Sequence, residues 1–208
     1  MTTIREALLG LFIAVILSLT LALLMDSFPL MKKAVYPVLI VSQTIPAIVL
    51  APLFALWFGF GELPKIIIVV LVCFFPVVIS LMDGLNSVDP DMINLFRSMG
   101  AGQWQLFRHL KLAASMTNFF SGLRIAATYS IMGAVIAEWL GGITGLGVYM
   151  IRVKHSYALD KVFAVILIIV ALSMLIFKGI AWSENLLMPW RRLLNKNQSE
   201  VNSNGQTK

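Results

Sequence analysis

Charge is what this sequence has least of. Asp, Glu, Lys and Arg make up 12% of its 208 residues against 59% hydrophobic ones, with a mean hydropathy of +0.89. Soluble globular domains carry about 25% charge, so that class is excluded and an integral membrane protein is indicated. The single cysteine, Cys73, sits in the apolar run VLVCFFPVV, can form no intrachain disulfide and is expected to serve packing. No G-x-x-x-x-G-K-[ST] phosphate loop occurs, so the chain cannot supply nucleotide energy itself. The only histidines, His109 and His155, fall on opposite sides of the membrane in the topology below, which leaves no plausible metal set and no Ser-His-Asp arrangement. No cleavable leader is expected either. The first apolar run exceeds the 7–15 residues of a signal core and meets no small-residue cleavage site at Met25-Asp26-Ser27-Phe28-Pro29. Without a Pro/Gly/Ser linker the chain reads as one transmembrane domain, residues 1–190, followed by a polar tail, 191–208, too hydrophilic to pack and expected to be disordered.

What the sequence does hold is long apolar runs. A helix needs about 20 residues to cross the hydrocarbon layer, whereas barrel strands alternate over about 10. Backbone groups in lipid must be satisfied within the segment, so helices follow. Five spans are expected: Ala7–Met25, Ala34–Phe58, Pro64–Met82, Thr117–Leu140 and Val162–Trp182. If the long insertion between the third and fourth spans faces the cytoplasm, that side holds Lys32, Lys33, Arg97, Arg108, Lys111, Arg191, Arg192, Lys196 and Lys208. The other side holds Arg5, Lys65, Arg152, Lys154 and Lys161, and nine against five favours this orientation by the positive-inside rule. Trp57 and Trp139 then lie at outer span ends, and Trp182 and Trp190 flank an inner one, where amphipathic rings prefer the headgroup layer. The net charge of +6 therefore reports topology and not nucleic acid.

The insertion, SVDPDMINLFRSMGAGQWQLFRHLKL (Ser87 to Leu112, within a loop of residues 84–116), is the most informative stretch. Asp89-Pro90 reads as an N-cap followed by proline at the first helical position. Met92, Ile93, Phe96 and Met99 recur at helical spacing on one face, and Gly100-Ala101-Gly102 ends the helix. A second short helix is expected to carry Trp104, Phe107 and Leu110 or Lys111 on one side, with Arg108 elsewhere. Two roles fit this pattern: a helix lying on the membrane surface, and a docking element for a partner outside the membrane.

Gly100, followed at fixed distance by Leu110-Lys111-Leu112, resembles the cytoplasmic loop of permease subunits of bacterial ATP-binding cassette importers, whose pattern is Glu-Ala-Ala, three residues, Gly, nine residues, Ile-x-Leu-Pro. Here the first triplet is Asn94-Leu95-Phe96 and the closing proline is Ala113. SQTIPAIVLAPLFALWFGFG, DGLNSVDPD and GLRIAATYSIMGAVIAEWLGGITGLGVYM resemble the nitrate/sulfonate/taurine branch, and within it the permeases for the pyrimidine precursor of thiamine. The stretch Thr3 to Gly10 resembles the start of that family's second span, which implies that its first is lacking. The resemblance implies an all-α membrane protein, a polytopic bundle of the type I importer permease kind in the bacterial inner membrane. It also implies a homodimer in membrane lipid, a cytoplasmic ATPase that uses ATP, and an extracytoplasmic solute-binding protein. The chain itself would bind no cofactor and would not be an enzyme. Asp89, Pro90, Phe96, Gly100, Trp104, Phe107, Arg108 and Leu112 would form the ATPase-coupling surface. The solute would be a small organic molecule, such as a thiamine pyrimidine precursor or a sulfonate.

Five residues are candidates for the pathway. Gln43 and Thr44 interrupt the second span between Pro37 and Pro46; polar groups at a broken helix suit a transport site, while hydroxyls that patch freed carbonyls are the structural alternative. Thr128 and Tyr129 lie on the fourth span. Glu138, near its outer end, is either a gate contact or a residue solvated beside Trp139, since intramembrane carboxylates cost free energy and usually face a cavity or partner. Gly141 to Gly147, GGITGLG, lacks a preceding strand and the G-x-G-x-x-G spacing, so it reads as a tight reversal and not a phosphate site. Two other functions compete. A lipid-modifying enzyme would need clustered Asp, His or Arg, and the ten acids here are scattered; a self-contained secondary transporter would show paired repeats or several intramembrane charges.

Overall fold

The computed structural model describes residues 2–188; the tail expected from residue 191, with Trp190, Arg191 and Arg192, lies outside the described residues. Those residues form helices and no strand: α1 (Thr2–Ser27), α2 (Pro29–Ser42), α3 (Ala47–Phe58), α4 (Glu62–Asn86), α5 (Pro90–Ser98), α6 (Gln103–Leu106), a π-helical turn (Phe107–Lys111), α7 (Leu112–Gly141), α8 (Leu146–His155) and α9 (Leu159–Leu187).

The centre is a three-helix core of α1, α4 and α7. Ala7, Leu11 and Ala14 of α1 meet Val69, Cys73 and Val77 of α4 and Ala126, Ile131 and Ala134 of α7, all buried. In lipid there is no hydrophobic drive to bring helices together, so close contact through small residues carries the association. On α1 the small residues recur at Gly10, Ala14, Ser18 and Ala22, and each is buried. A β-carbon at Gly10 would lie 2.5 Å from Cγ1 of Val69, and one at Gly122 of α7 would lie 2.6 Å from the Pro76 carbonyl of α4. Ser18 donates to the Phe74 carbonyl at 3.0 Å, a hydrogen bond between α1 and α4 that the small stripe makes reachable. By contrast α9 buries only Val165 and Glu184 and presents the rest of its apolar surface outward.

Two expected elements differ. The second span is no single helix: α2 and α3 meet at a bend of 98°. Their 14 and 12 residues reach about 21 and 18 Å at 1.5 Å per residue, so neither crosses a roughly 30 Å layer alone. Among the described residues four helices are long and apolar enough to cross, five if the bent pair counts as one. The break falls where Pro46 withholds a backbone N–H just after Ser42-Gln43-Thr44. The second correction concerns the loop. Instead of a separate short helix followed by a span from Thr117, residues Gln103–Gly141 form one continuous run of 39 residues. Ala113 explains it, because alanine carries the N–H and lacks the ring with which a proline would break the helix there.

Candidate functional site

The loop builds itself by local rules. Asp89 caps α5, its Oδ1 accepting from the Asp91 N–H at 2.8 Å, with Pro90 in the first turn. Gly100 has φ +82°, and around it the Gly100 N–H donates to the Arg97 carbonyl at 2.9 Å and the Ala101 N–H to that of Phe96 at 3.0 Å. This pair of bonds is a Schellman closure, for which a glycine in the left-handed region is suited. Gln105 reaches back to accept from the Gly102 N–H at 2.9 Å, satisfying a donor at the start of α6. Hence local bonds set the turn from α5 into α6.

No residue of α5 is buried. Ile93 and Phe96 are half-buried, whereas Met92, Leu95 and Met99 are exposed, the last at 76%. Trp104 is 69% exposed and stacks on Phe107, with ring centroids 5.9 Å apart. Leu106, not among the residues that the spacing marks, is the buried anchor of α6. Phe107 reaches the cluster formed by Met25, Val78 and Met82. Lys111 pairs with Asp26 at the end of α1 (2.7 Å), so the π-helical turn is tied to the core. A cavity of about 550 Å³ opens there, lined by Leu23, Asp26, Trp104, Phe107 and Lys111 among others. Arg108 and Leu112 lie on the same continuous helix, Leu112 exposed.

At the opposite end of the bundle lies a buried polar knot. Glu138 is 1% exposed; its Oε1 accepts from the Thr3 hydroxyl at 2.7 Å and its Oε2 from the Gly147 N–H at 2.6 Å. The Leu146 N–H donates to Oγ1 of Thr3 at 3.0 Å. Beside it Lys65 of α4 pairs with Glu6 of α1, both buried, and leaves Oε2 of Glu6 without a hydrogen-bond partner. Thr3, Glu6 and Lys65 were not visible as a site in the sequence. The signal that could have found them is that Glu6 and Lys65 are charges about one turn inside long apolar spans, where intramembrane charge is placed against a partner. A third tie, Arg124 to Glu184 at 2.9 Å, joins α7 to α9.

The remaining pathway candidates are separate from this knot. Gln43 and Thr44 are exposed at the α2–α3 bend; the Thr44 and Ser42 hydroxyls donate to the carbonyls of Val41 (2.7 Å) and Leu39 (3.0 Å), patching the broken helix end. Thr128 likewise donates to the Ile125 carbonyl at 2.7 Å, and Tyr129 is 41% exposed. Among the described residues no hydrogen bond joins Gln43 or Thr44 to Thr128, Tyr129 or Glu138.

The family described as binding-protein-dependent transport system inner membrane component matches residues 8–186. The formylaminopyrimidine transport permease protein of Halalkalibacterium halodurans is 41% identical over 184 residues, 88% of this chain and 74% of its own length. A taurine transport system permease protein of Escherichia coli is 28% identical over 90% of this chain and 68% of its own. The crystal structure of an amino acid ABC transporter aligns with a TM-score of 0.66 at 18% identity, covering 89% of this chain and 88% of that one, and so shares the fold. An α-helical bundle of four long helices and one bent pair, bearing an amphipathic loop between the third and fourth crossings, is thus the permease architecture of the type I importers, set in the bacterial inner membrane as a multi-pass transport component and not an enzyme. The chain belongs to the family of binding-protein-dependent transport system inner membrane components.

Proposed function

We propose that this permease is the transmembrane subunit of an ATP-driven solute importer and that its Ser87–Leu112 loop is the surface through which a separate cytoplasmic ATPase drives it. One observation carries this. Met92, Leu95, Met99 and Trp104 stand exposed on short helices held at a fixed angle by Gly100, while the end of the loop is pinned to α1 through Lys111 and Asp26. An apolar face that neither packs on its own chain nor spans the membrane needs an occupant. A rigid loop fused without a break to the 39-residue helix Gln103–Gly141 transmits a push from that occupant across the bilayer. In this scheme two copies in membrane lipid enclose the path, and an extracytoplasmic binding protein delivers the solute. Asp89, Pro90, Phe96, Gly100, Trp104, Phe107, Arg108 and Leu112 serve the coupling, and Gln43, Thr44, Thr128 and Tyr129 face the path. The relatives for formylaminopyrimidine and taurine point to a small organic solute, a thiamine pyrimidine precursor or a sulfonate. ATP is consumed by the ATPase alone.

The test is Gly100→Trp in the permease reconstituted with its ATPase and binding protein. No atom lies within 4 Å of a β-carbon there, so the effect arises from forcing a side chain into the left-handed region, at about 1–2 kcal/mol, and from bulk on the docking face. ATP hydrolysis should run without uptake while the variant still inserts. Unchanged uptake would remove the loop from the coupling path.

A further inference from the structure

Resting on that functional reading, we propose that α3 is the moving gate on the binding-protein side of the permease, and that Thr3, Glu6, Lys65 and Glu138 are positioning residues that hold the wall against which it opens. The contrast between the two parts is physical. The wall consists of α1, α4, α7 and the start of α8. Its outer ends are joined by the buried Lys65–Glu6 ion pair, Thr3–Glu138 hydrogen bond and Gly147 donation, and by the part-buried donation of Leu146. Pulling one member out leaves buried charge or donors unmatched, so these contacts resist separation. Its inner end is held by Lys111–Asp26.

Nothing comparable restrains α3. Its buried residues are Ala51 and Ala55: Ala51 sits with Ile68 and Ala137 of the wall, half-buried Phe54 packs on that cluster, and Ala55 faces Gly141. Among the described residues no side-chain hydrogen bond or ion pair leaves Ala47–Phe58; its ring contacts, Phe54 with Trp57 and Phe58, are internal. A contact made of alanine methyls and one phenyl ring in lipid gains only dispersion, and no hydrophobic term opposes its opening. Both ends of α3 are also articulated. At one lies the 98° elbow before Pro46. At the other, Gly59 has φ +79°, and neither Gly59 nor Gly61 would meet an atom within 4 Å of an added β-carbon. By comparison α2 is anchored on the loop side, Tyr36 donating to Asp83 at 3.1 Å and Lys32 to Asn86. A short helix between two open joints, leaning on a pinned wall through two alanines and one ring with no polar tie, is the element with least to lose by swinging. Gln43 and Thr44, exposed at the elbow, then border the opening it makes.

The experiment locks α3 to the wall. A β-carbon built at Gly141 lies 3.8 Å from that of Ala55, which matches the usual separation across a disulfide. Ala55→Cys with Gly141→Cys, in a Cys73→Ser background, is reconstituted with the ATPase and binding protein in proteoliposomes. Oxidation should abolish ATP-dependent uptake and reduction should restore it. Full uptake by the oxidised, cross-linked protein overturns the gate. Wild-type chain that shows no ATP-dependent uptake would instead sink the functional reading, and the gate with it. Nitroxide distances give a second measurement that needs no disulfide. The exposed sites Leu56 and Ile143 should change separation when ATP is trapped on the ATPase, whereas Arg5 and Ile143, across the knot, should not. Thr3→Val should broaden the Arg5–Ile143 distribution and Thr3→Ser restore it. Equal displacement of both label pairs would show that the wall moves with α3 and refute the proposal.

Discussion

Replacing Lys65 with methionine isolates what the buried pair does for the fold. The two side chains of the pair keep only 8% and 2% of their surface accessible, so solvent cannot compensate for a lost partner. In Lys65→Met the Glu6 carboxylate stays buried with neither oxygen paired, because its Oε2 already lacks a hydrogen bond in the intact protein. Breaking a buried pair from one side costs about 3–5 kcal/mol, whereas replacing both members with apolar groups of similar volume is neutral or stabilising by about 1–4 kcal/mol. At about 2–4 °C per kcal/mol for a chain of this size, Lys65→Met should lower the thermal midpoint by roughly 10 °C. Glu6→Leu/Lys65→Met should return to the wild-type value or above. The midpoint is read in detergent micelles by the loss of monodisperse protein on heating, with cysteine accessibility at buried Cys73 as a probe of core opening. A single variant as stable as wild type would show that the carboxylate finds water, and a double variant as weak as the single would show that the pair itself, and not the stranded charge, carries the stability.

Two further outcomes follow from packing. Gly10→Leu should prevent α1 from docking, since even a β-carbon there would meet Val69 at 2.5 Å from Cγ1 and 2.6 Å from Cβ; loss of protease resistance in the detergent-solubilised protein would show it, and an unaltered digestion pattern would contradict the close approach. Ala113→Pro should break the Gln103–Gly141 helix at a cost of about 3 kcal/mol. Faster amide exchange confined to residues near the π-helical turn is the expected sign, and protection equal to wild type would refute the continuity of that helix.

How much of this was legible in the chain divides by distance along it. The Asp89 cap, Pro90 and the Gly100 closure follow from a few adjacent residues, and the structure places all three as their spacing predicts. Span lengths follow from bilayer thickness. The knot could not be read, because Thr3 and Glu138 are 135 residues apart and neither residue type announces the other. Glu138 was conspicuous only for the free energy its depth implies; which of a cavity, a gate or a partner met that carboxylate depended on the packing of α1 against α7. The elbow was half legible: Pro46 and the polar triplet mark a break, but the direction of the chain after a break is set by what α3 leans on. The fusion of the loop to α7 leaves no mark in hydropathy, because a helix can run from lipid into water without interruption while its residues turn from apolar to polar.

The glycine-rich reversal ties these observations together. Gly142 to Gly147 has neither the strand nor the spacing of a phosphate loop, yet one of its amides, the Gly147 N–H, donates to an anion, and the anion is the chain's own Glu138. Gly145 has φ +136°, and a β-carbon there would collide with the Glu138 carboxylate. The N–H of Gly147, in the first turn of α8, donates into it at 2.6 Å. Helix N-termini stabilise negative charge through such aligned, unsatisfied amides. That explains how two buried carboxylates coexist with one lysine: Glu6 has the ammonium of Lys65, and Glu138 has a hydroxyl and a helix start. Glu138→Gln tests this division. The amide offers one acceptor oxygen where the carboxylate offered two, so its NH₂ either faces the Gly147 N–H or donates to Thr3 Oγ1, which then accepts from both Leu146 and the amide while its own O–H loses its acceptor. In either orientation one donor is left without its partner, at about 1–3 kcal/mol. Amide exchange at Leu146 and Gly147 should therefore accelerate in Glu138→Gln, and the loss on adding Thr3→Val should be smaller than the sum of the two single losses. Additive losses would mean that Thr3 and Glu138 act on separate parts of the outer end, and the wall would have one fewer pin than the geometry assigns to it.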